Sequence, residues 1–452
     1  MTKSTLYPRS IQRRLVEALQ DSPVVLIHGP RQCGKSTLAQ VTCTPTNFLR
    51  DSANSVWQSQ SIEHFRDYSY FTFDDPVTRE SAQRDPIGFV DSLPDRVILD
   101  EIQRVHDLFE VIKMSVDRKR VPGRFLLTGS TNVLLIPQLS ESLAGRMEIV
   151  PLFPLAQYEL SSNSDPSCLD AGFLVNLFGT GFSTCRFNRL GKELIERIVT
   201  GGYPAVFDRP TERRKADWYQ NYAEALVQQD IRDLSQVQSF DMLPKLLRAA
   251  ATQTGQIYNL SKLASPFRLS RPTIGDYITL LGRIFLVEQL PAWHGNRLKR
   301  LVKSPKLHIA DTGLANALLG TDTAALERDR ILLGHLLETF VYQELRKQAS
   351  WQEMQTEFFH FRDKDGYETD IVIQQSSGSV AGVEVKASAT VKWEDFRGLR
   401  KLQKLVGDRF VRGVVLYDGD ASLPFGKHFH AVPISRLWKT DQPIQTHKTG
   451  DD

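Results

Sequence analysis

Cysteine is scarce in this chain. Cys33, Cys43, Cys168 and Cys185 are its four cysteines in 452 residues, and no two stand as C-x-x-C. That spacing argues against a zinc site or a disulfide framework, and a reducing cytoplasm is the expected location. Long apolar runs are missing as well. No stretch of about 18 apolar residues occurs, so no membrane span is expected. Met1 to Leu19 is polar and charged, without the apolar core of a secretion signal. Charge of one sign is not in large excess either. The formal net charge is +3, so bulk charge demands no nucleic-acid partner and any such partner must be argued from local patches. What is present is ordinary globular composition, 41% hydrophobic and 24% charged, with chain enough for about three domains.

The organising stretch is Gly29-Pro30-Arg31-Gln32-Cys33-Gly34-Lys35-Ser36. It fits G-x-x-x-x-G-K-S/T, between an apolar strand at Val24 to Ile27 and a helix starting at Ser36 and Thr37. Glycines let the backbone curl so that successive N–H groups face a phosphate chain. The positive end of the helix adds to the attraction. Lys35 is expected on the β- and γ-phosphates and Ser36 on Mg²⁺. Arg96 to Glu101 is a second apolar strand, ending in two acids. Asp100 at the strand end is the candidate Mg²⁺ ligand, and Glu101 the base that polarises the attacking water. Gly123 to Ser130 is a third buried strand. Thr128, Ser130 or Asn132 at its tip could hold the water or the γ-phosphate; a capped turn is the competing reading. The expected ligands are therefore ATP and Mg²⁺. A thiol at Cys33, inside a phosphate loop and near Lys35, is expected to be reactive.

Four motifs in order, GPRQCGKSTL, VILDEIQ, LLTGSTNVLL and ESLAGRMEIVPLFPL, resemble the AAA-family ATPases of bacteria and archaea that carry a C-terminal domain of unknown function. The chain departs from that pattern in Cys33, where a small aliphatic residue is usual, and in the long polar segment Thr44 to Tyr68. The resemblance implies a homo-oligomer in which a neighbour's arginine completes the site. Arg146, in Leu143-Ala144-Gly145-Arg146, stands where such a finger lies. The alternative is a helix-terminal arginine paired with a local acid such as Glu141.

Beyond a polar linker the pattern turns helical, broken at Gly201-Gly202-Tyr203-Pro204. Leu260 to Leu290 reads as a winged helix-turn-helix. Pro272 opens its second helix, and Ile274, Tyr277, Ile278 and Leu281 mark the buried face. Arg297, Lys299, Arg300, Lys303 and Lys306 follow as a basic cluster that could meet DNA phosphates. A protein-packing module with a solvated basic loop is the other reading.

The last part reads helix (Gly334 to Gln348), strand (Glu357 to Arg362), strand (Thr369 to Ile373), strand (Val380 to Lys386), helix (Trp393 to Leu405) and strand (Val411 to Tyr417). Glu338, Asp370, Glu384 and Lys386 in that setting resemble the restriction-endonuclease-like PD-(D/E)XK fold. Residues two apart on a strand share a face, so Glu384 and Lys386 are expected to point together at Asp370. The resemblance implies Glu338, Asp370 and Glu384 around a metal, with Lys386 activating water. A structural ion-pair cluster in an inactive relic is the alternative.

The reading is thus an α/β chain. A P-loop AAA-type parallel sheet spans 1–160, a linker 161–190, a helical lid 191–250, a winged helix 251–305, an α/β restriction-endonuclease-like domain 306–438 and a disordered tail 439–452. The expected function is ATP hydrolysis by a protein acting on DNA, with nuclease activity at the C-terminal site. The alternative is a nucleotide-controlled switch that binds DNA or protein and does not cut.

Overall fold

The computed structural model describes residues 6–43, 67–130, 143–161, 172–234, 241–300 and 303–439. Asn132, Glu141, Cys168, most of the 44–68 insertion and the 440–452 tail lie outside them.

Strands β1 (Val24–His28), β2 (Ser69–Thr72), β3 (Val97–Asp100), β4 (Phe125–Gly129) and β5 (Met147–Pro151) form an all-parallel sheet in the order β2-β3-β4-β1-β5. The apolar runs predicted as buried strands are buried on both faces. Val24 and Leu26 join Leu99 and Leu127 in one core. Val25 and Ile27 join Ile98 and Leu126 in another. A period of two sends neighbours to opposite faces, and helices cover both, as a parallel sheet requires. Leu15 and Leu19 of helix Gln12–Asp21 close the second core, and Phe109 and Ile112 of helix Leu108–Arg118 close the first. The carboxyl ends of β1, β3 and β4 lie side by side in register, where α/β sheets place their ligands.

The segment expected as a linker is structured where it is described. Helix Phe173–Phe178 buries Phe173, Leu174 and Leu177, and strand β6 (Cys185–Arg186) follows. Arg412 donates to the carbonyls of Asn176 and Leu177, each at 2.7 Å. Polar Ser161 to Ser167 suggested a spacer, but the aromatic and aliphatic residues after it have a core to join.

Helices Lys192–Thr200, Glu212–Leu234 and Met242–Ala251 follow. Helix Leu260–Ala264, a short turn and helix Arg271–Arg283 come next. Ser270 caps the last by accepting from the Thr273 N–H, with Pro272 in the first turn. Ile274, Tyr277, Ile278 and Leu281 are buried. Strands β7 (Gln256–Ile257), β8 (Val287–Leu290) and β9 (Lys306–Ile309) make an antiparallel sheet ordered β7-β9-β8. β9 lies beyond the expected boundary at 305, yet it is the central strand here. Its Leu307 and Ile309 are fully buried.

Strands β10 (Thr356–Arg362), β11 (Glu368–Gln375), β12 (Val380–Lys386), β13 (Phe410–Tyr417), β14 (Ala421–Pro424) and β15 (Phe429–Pro433) join β6 in a mixed sheet, β10-β11-β12-β13-β15-β14-β6. Helix Arg330–Ser350 lies on one face of this sheet and helix Arg397–Val406 on the other. One continuous core joins the first face to the helical middle of the chain. Among the described residues no helix is long and apolar enough to cross a membrane.

Candidate active site

The loop after β1 bends as its glycines require. A Cβ on Gly29 would fall 1.9 Å from the Leu152 carbonyl oxygen, and Gly34 has φ +97°. Gln32 also takes a left-handed backbone, φ 64°. Lys35 is buried, and its ammonium donates to the Pro30 carbonyl at 2.9 Å. Ser36, the second residue of helix Lys35–Cys43, is half-buried, while Thr37 is exposed.

Asp100 faces this loop from the end of β3. Its Oδ1 accepts from Ser36 Oγ at 2.6 Å and from Thr128 Oγ1 at 2.6 Å. Its Oδ2 accepts from Tyr70 at 2.8 Å and Thr72 at 3.3 Å. Four hydroxyls thus fix one carboxylate. The donor set, a serine hydroxyl beside a fixed carboxylate, fits a hard, oxygen-seeking Mg²⁺. Glu101 holds a left-handed conformation, φ 57° and ψ 46°, which costs a non-glycine residue about 1–3 kcal/mol and recurs at functional sites. Its N–H donates to Thr128 Oγ1 at 3.0 Å, and its carboxylate accepts from Ser130 at 3.1 Å and from Gln103. Ser130, expected at the γ-phosphate, therefore stands beside the candidate base.

Two P-loop carbonyls, those of Arg31 and Cys33, are held by donors from outside the loop. Arg9 donates to the carbonyls of Cys33 at 2.7 Å and Phe153 at 2.6 Å, and pairs with Glu159 at 3.2 Å. Tyr222, on helix Glu212–Leu234, donates to the Arg31 carbonyl at 3.0 Å. Cys33 is fully buried, its thiol 3.5 Å from the Leu152 carbonyl oxygen. Burial raises its pKa, outweighing Lys35 and Arg9. The expected reactive thiolate is therefore corrected: the loop turns the cysteine side chain into the core, not toward phosphate.

Arg146 makes a two-pronged pair with Asp117, at 2.6 and 3.0 Å, and also donates to the Ala144 carbonyl at 3.1 Å; Glu141, the alternative partner, lies outside the described residues. Its carbonyl accepts from Val24 N at the start of β1. The phosphate loop begins where β1 ends, so roughly 16 Å of strand separates Arg146 from its own loop.

In the C-terminal domain Glu338, Asp370 and Glu384 do come together. They line a cavity of ≈ 720 Å³ with Glu368, Lys306 and Lys386. Lys306 departs from its expected role. Expected to meet phosphates, it is 1% exposed and pairs with Glu338 at 2.8 Å, Glu368 at 2.7 Å and Asp370 at 3.2 Å. Burial alone would pull its pKa down, but the carboxylates raise it well above the ordinary value. Burial, reinforced by Asp370, raises the pKa of Glu338 and of Glu384. Burial works against ionisation of Glu368 too, yet Lys306 and Arg362 hold it below the usual range. Lys386 pairs with Asp395, and Asp370 instead accepts from the Val385 N–H at 3.0 Å. Among the described residues no group of three or more His, Cys, Asp or Glu is arranged to hold a metal ion. The carboxylates do not fit a metal in this arrangement, because an ammonium already sits among them.

Residues 21–161 match the AAA domain family. The match supports an AAA-family ATP-binding protein with ATPase activity. Residues 191–325 and 333–437 match two domains of unknown function, DUF8612 and DUF4143. Uncharacterized proteins of Mycobacterium bovis and Mycobacterium tuberculosis are each 28% identical over 434 residues, 96% of this chain and 85% of theirs. A Walker-type ATPase of Pyrococcus abyssi shares 15% identity at a TM-score of 0.40, covering 70% of this chain and 97% of that one.

Around the AAA domain, sequence reasoning missed Arg9, Tyr70 and Tyr222. No local motif marks them, since each acts on a group 24 or more residues away. Lys306 does carry a signal in the sequence. In Lys306-Leu307-His308-Ile309 the apolar residues alternate with two polar ones, so one face of a central strand bears a charge that needs a buried partner.

Proposed function

We propose that the chain is a Mg²⁺-dependent ATP hydrolase that works as a nucleotide-controlled switch on nucleic acid. The observation that carries it is Asp100, fixed by Ser36 and Thr128 beside the buried Lys35. Ser36 and Asp100 would hold Mg²⁺, and the P-loop N–H groups with Lys35 would hold the phosphates. When bound, the metal neutralises phosphate charge and orients the terminal group. Glu101, at the strand tip with Ser130 and Gln103, would take a proton from water.

The closed triphosphate site is proposed to need a second copy of the chain, whose Arg146 would spread charge over the γ-phosphate. Nucleic acid is the proposed partner because Lys262, Arg268 and Arg271 are exposed around the start of helix Arg271–Arg283, the end that such motifs present to DNA. Metal-dependent cleavage, the other expectation, is disfavoured because the Lys306 ammonium already sits among Glu338, Glu368 and Asp370.

Phosphate release and nucleotide binding test the reading. Lys35→Ala should weaken ATP binding. Glu101→Gln should bind ATP and lose turnover by about a hundred-fold or more. Unchanged turnover in Glu101→Gln overturns the assignment of the base. DNA retention that falls steeply with salt supports the partner; no retention at low salt removes it.

A further inference from the structure

The C-terminal pocket gathers four carboxylates from three elements. Glu338 comes from helix Arg330–Ser350, Glu368 and Asp370 from one face of β11, and Glu384 from β12. Carboxylates this close repel one another unless a cation compensates them. The compensating cation is Lys306. Lys306 Nζ lies 2.7 to 3.2 Å from oxygens of Glu338, Glu368 and Asp370.

An ammonium has three N–H donors and no acceptor. Glu338 and Asp370 each accept one of these donors, and Glu368 pairs with the same ammonium at 2.7 Å. That leaves Glu384 outside the set, and its Oε2 is buried with no hydrogen-bond partner. A second positive charge placed among the same oxygens would lie within a few ångströms of the ammonium, where like-charge repulsion in a partly buried site is poorly screened and opposes binding. The lysine itself cannot readily swing away. Its side chain is 2% exposed, and it starts the central strand of a three-stranded sheet. The lysine of the sequence motif does not compete for the place, since Lys386 is paired with Asp395.

We infer that Lys306 is the resident cation of this pocket, standing where a divalent ion would otherwise bind, so that the pocket takes no metal until the ammonium is removed. Replacing Lys306 by an apolar side chain of similar length then opens an oxygen-only site for Mn²⁺ or Mg²⁺ between Glu338, Glu368 and Asp370. The ligand class is a hard divalent cation. The inference rests on the carboxylates and the lysine alone and stands or falls independently of ATP turnover.

The test uses the full chain carrying Asp100→Asn, which removes the metal ligand of the nucleotide site, without nucleotide. Bound Mn²⁺ is counted by electron paramagnetic resonance, and melting is followed with and without Mn²⁺. With Lys306 in place, no Mn²⁺ should bind and the melting temperature should not move. With Lys306→Met added, about one Mn²⁺ per chain should bind at least ten-fold more tightly and raise the melting temperature. Adding Asp370→Asn to that variant should abolish the gain. A folded Lys306→Met variant without new Mn²⁺ binding overturns the inference. If Lys306→Met does not fold even with Mn²⁺ present, the Lys306-containing chain decides. Mn²⁺ bound there and lost on Asp370→Asn overturns the inference, and no bound Mn²⁺ supports it.

Discussion

The Tyr222 phenol donates to the Arg31 carbonyl at 3.0 Å, across 191 residues of sequence. The same ring stacks on Trp218 at 5.0 Å and 11°. A phosphate-binding loop must turn its N–H groups inward, so its carbonyls face out and need donors. Here one donor belongs to the helical middle of the chain, which therefore reports on the loop.

Tyr222→Phe keeps the stacking ring and deletes the donor. A lost hydrogen bond of this kind is worth about 1 kcal/mol, so KM for ATP should rise about five-fold. Circular dichroism should stay unchanged. Steady-state kinetics with an unaltered KM and kcat would show that the contact does not position the loop.

Arg146 and Asp117 stand at the far end of the sheet from their own phosphate loop. Hydrogen bonding from Arg146 holds the Asp117 carboxyl below its usual range. Arg146→Ala and Glu101→Gln should each be inactive alone. Mixed before assembly, they should recover part of the wild-type turnover, because some sites receive an intact base and an intact arginine. A monomer with full activity at all concentrations would rule out a shared site.

Cys33 is sealed in the core and its pKa is raised by burial. N-ethylmaleimide should label the half-buried Cys185 well before Cys33 in the native protein, and turnover should survive that labelling. Peptide mass spectrometry against time checks the order. Cys33 reacting as fast as Cys185 would contradict the packing.

His360 gives a pH prediction. Burial first, then Lys306, lowers its pKa to about 4, and Nε2 lies 3.1 Å from the Ser304 carbonyl oxygen. Glu368 opposes that lowering and Lys303 assists it. The unfolded chain takes up the proton near pH 6.5 and the folded chain does not, so stability falls as pH drops from about 6.5 toward 4. At pH 5 the loss from this residue is on the order of 2 kcal/mol. Urea unfolding of His360→Gln at pH 7 and pH 5 should show a correspondingly smaller drop than wild type. An equal drop in both would mean that other groups set the acid response.

Short-range order was legible in the sequence, and long-range partnership was not. The strands around Val24, Ile98 and Leu126 and those around Phe359, Ile371 and Val383 are legible because alternation and length are local properties. The meeting of Ser36 with Asp100 follows from where their elements begin and end, and the approach of Glu338 and Asp370 from the order helix, strand, strand. Cys33 and Lys306 were read by their sequence neighbours, and both environments come from distant chain: Leu152 for the thiol, Glu338, Glu368 and Asp370 for the ammonium. The segment 161–190 reads as a linker from its polar start, since the partner of its described part, Arg412, lies more than two hundred residues away.

Strand β6 sets a timetable for synthesis. Arg186 pairs with Ala421 at the edge of the C-terminal sheet. At about 5–20 residues per second, the roughly 235 residues between them take on the order of ten seconds or more to leave the ribosome. Throughout that interval β6 has no partner strand while the helical middle emerges. The C-terminal domain therefore closes only as the last segments appear, and it closes onto chain made long before.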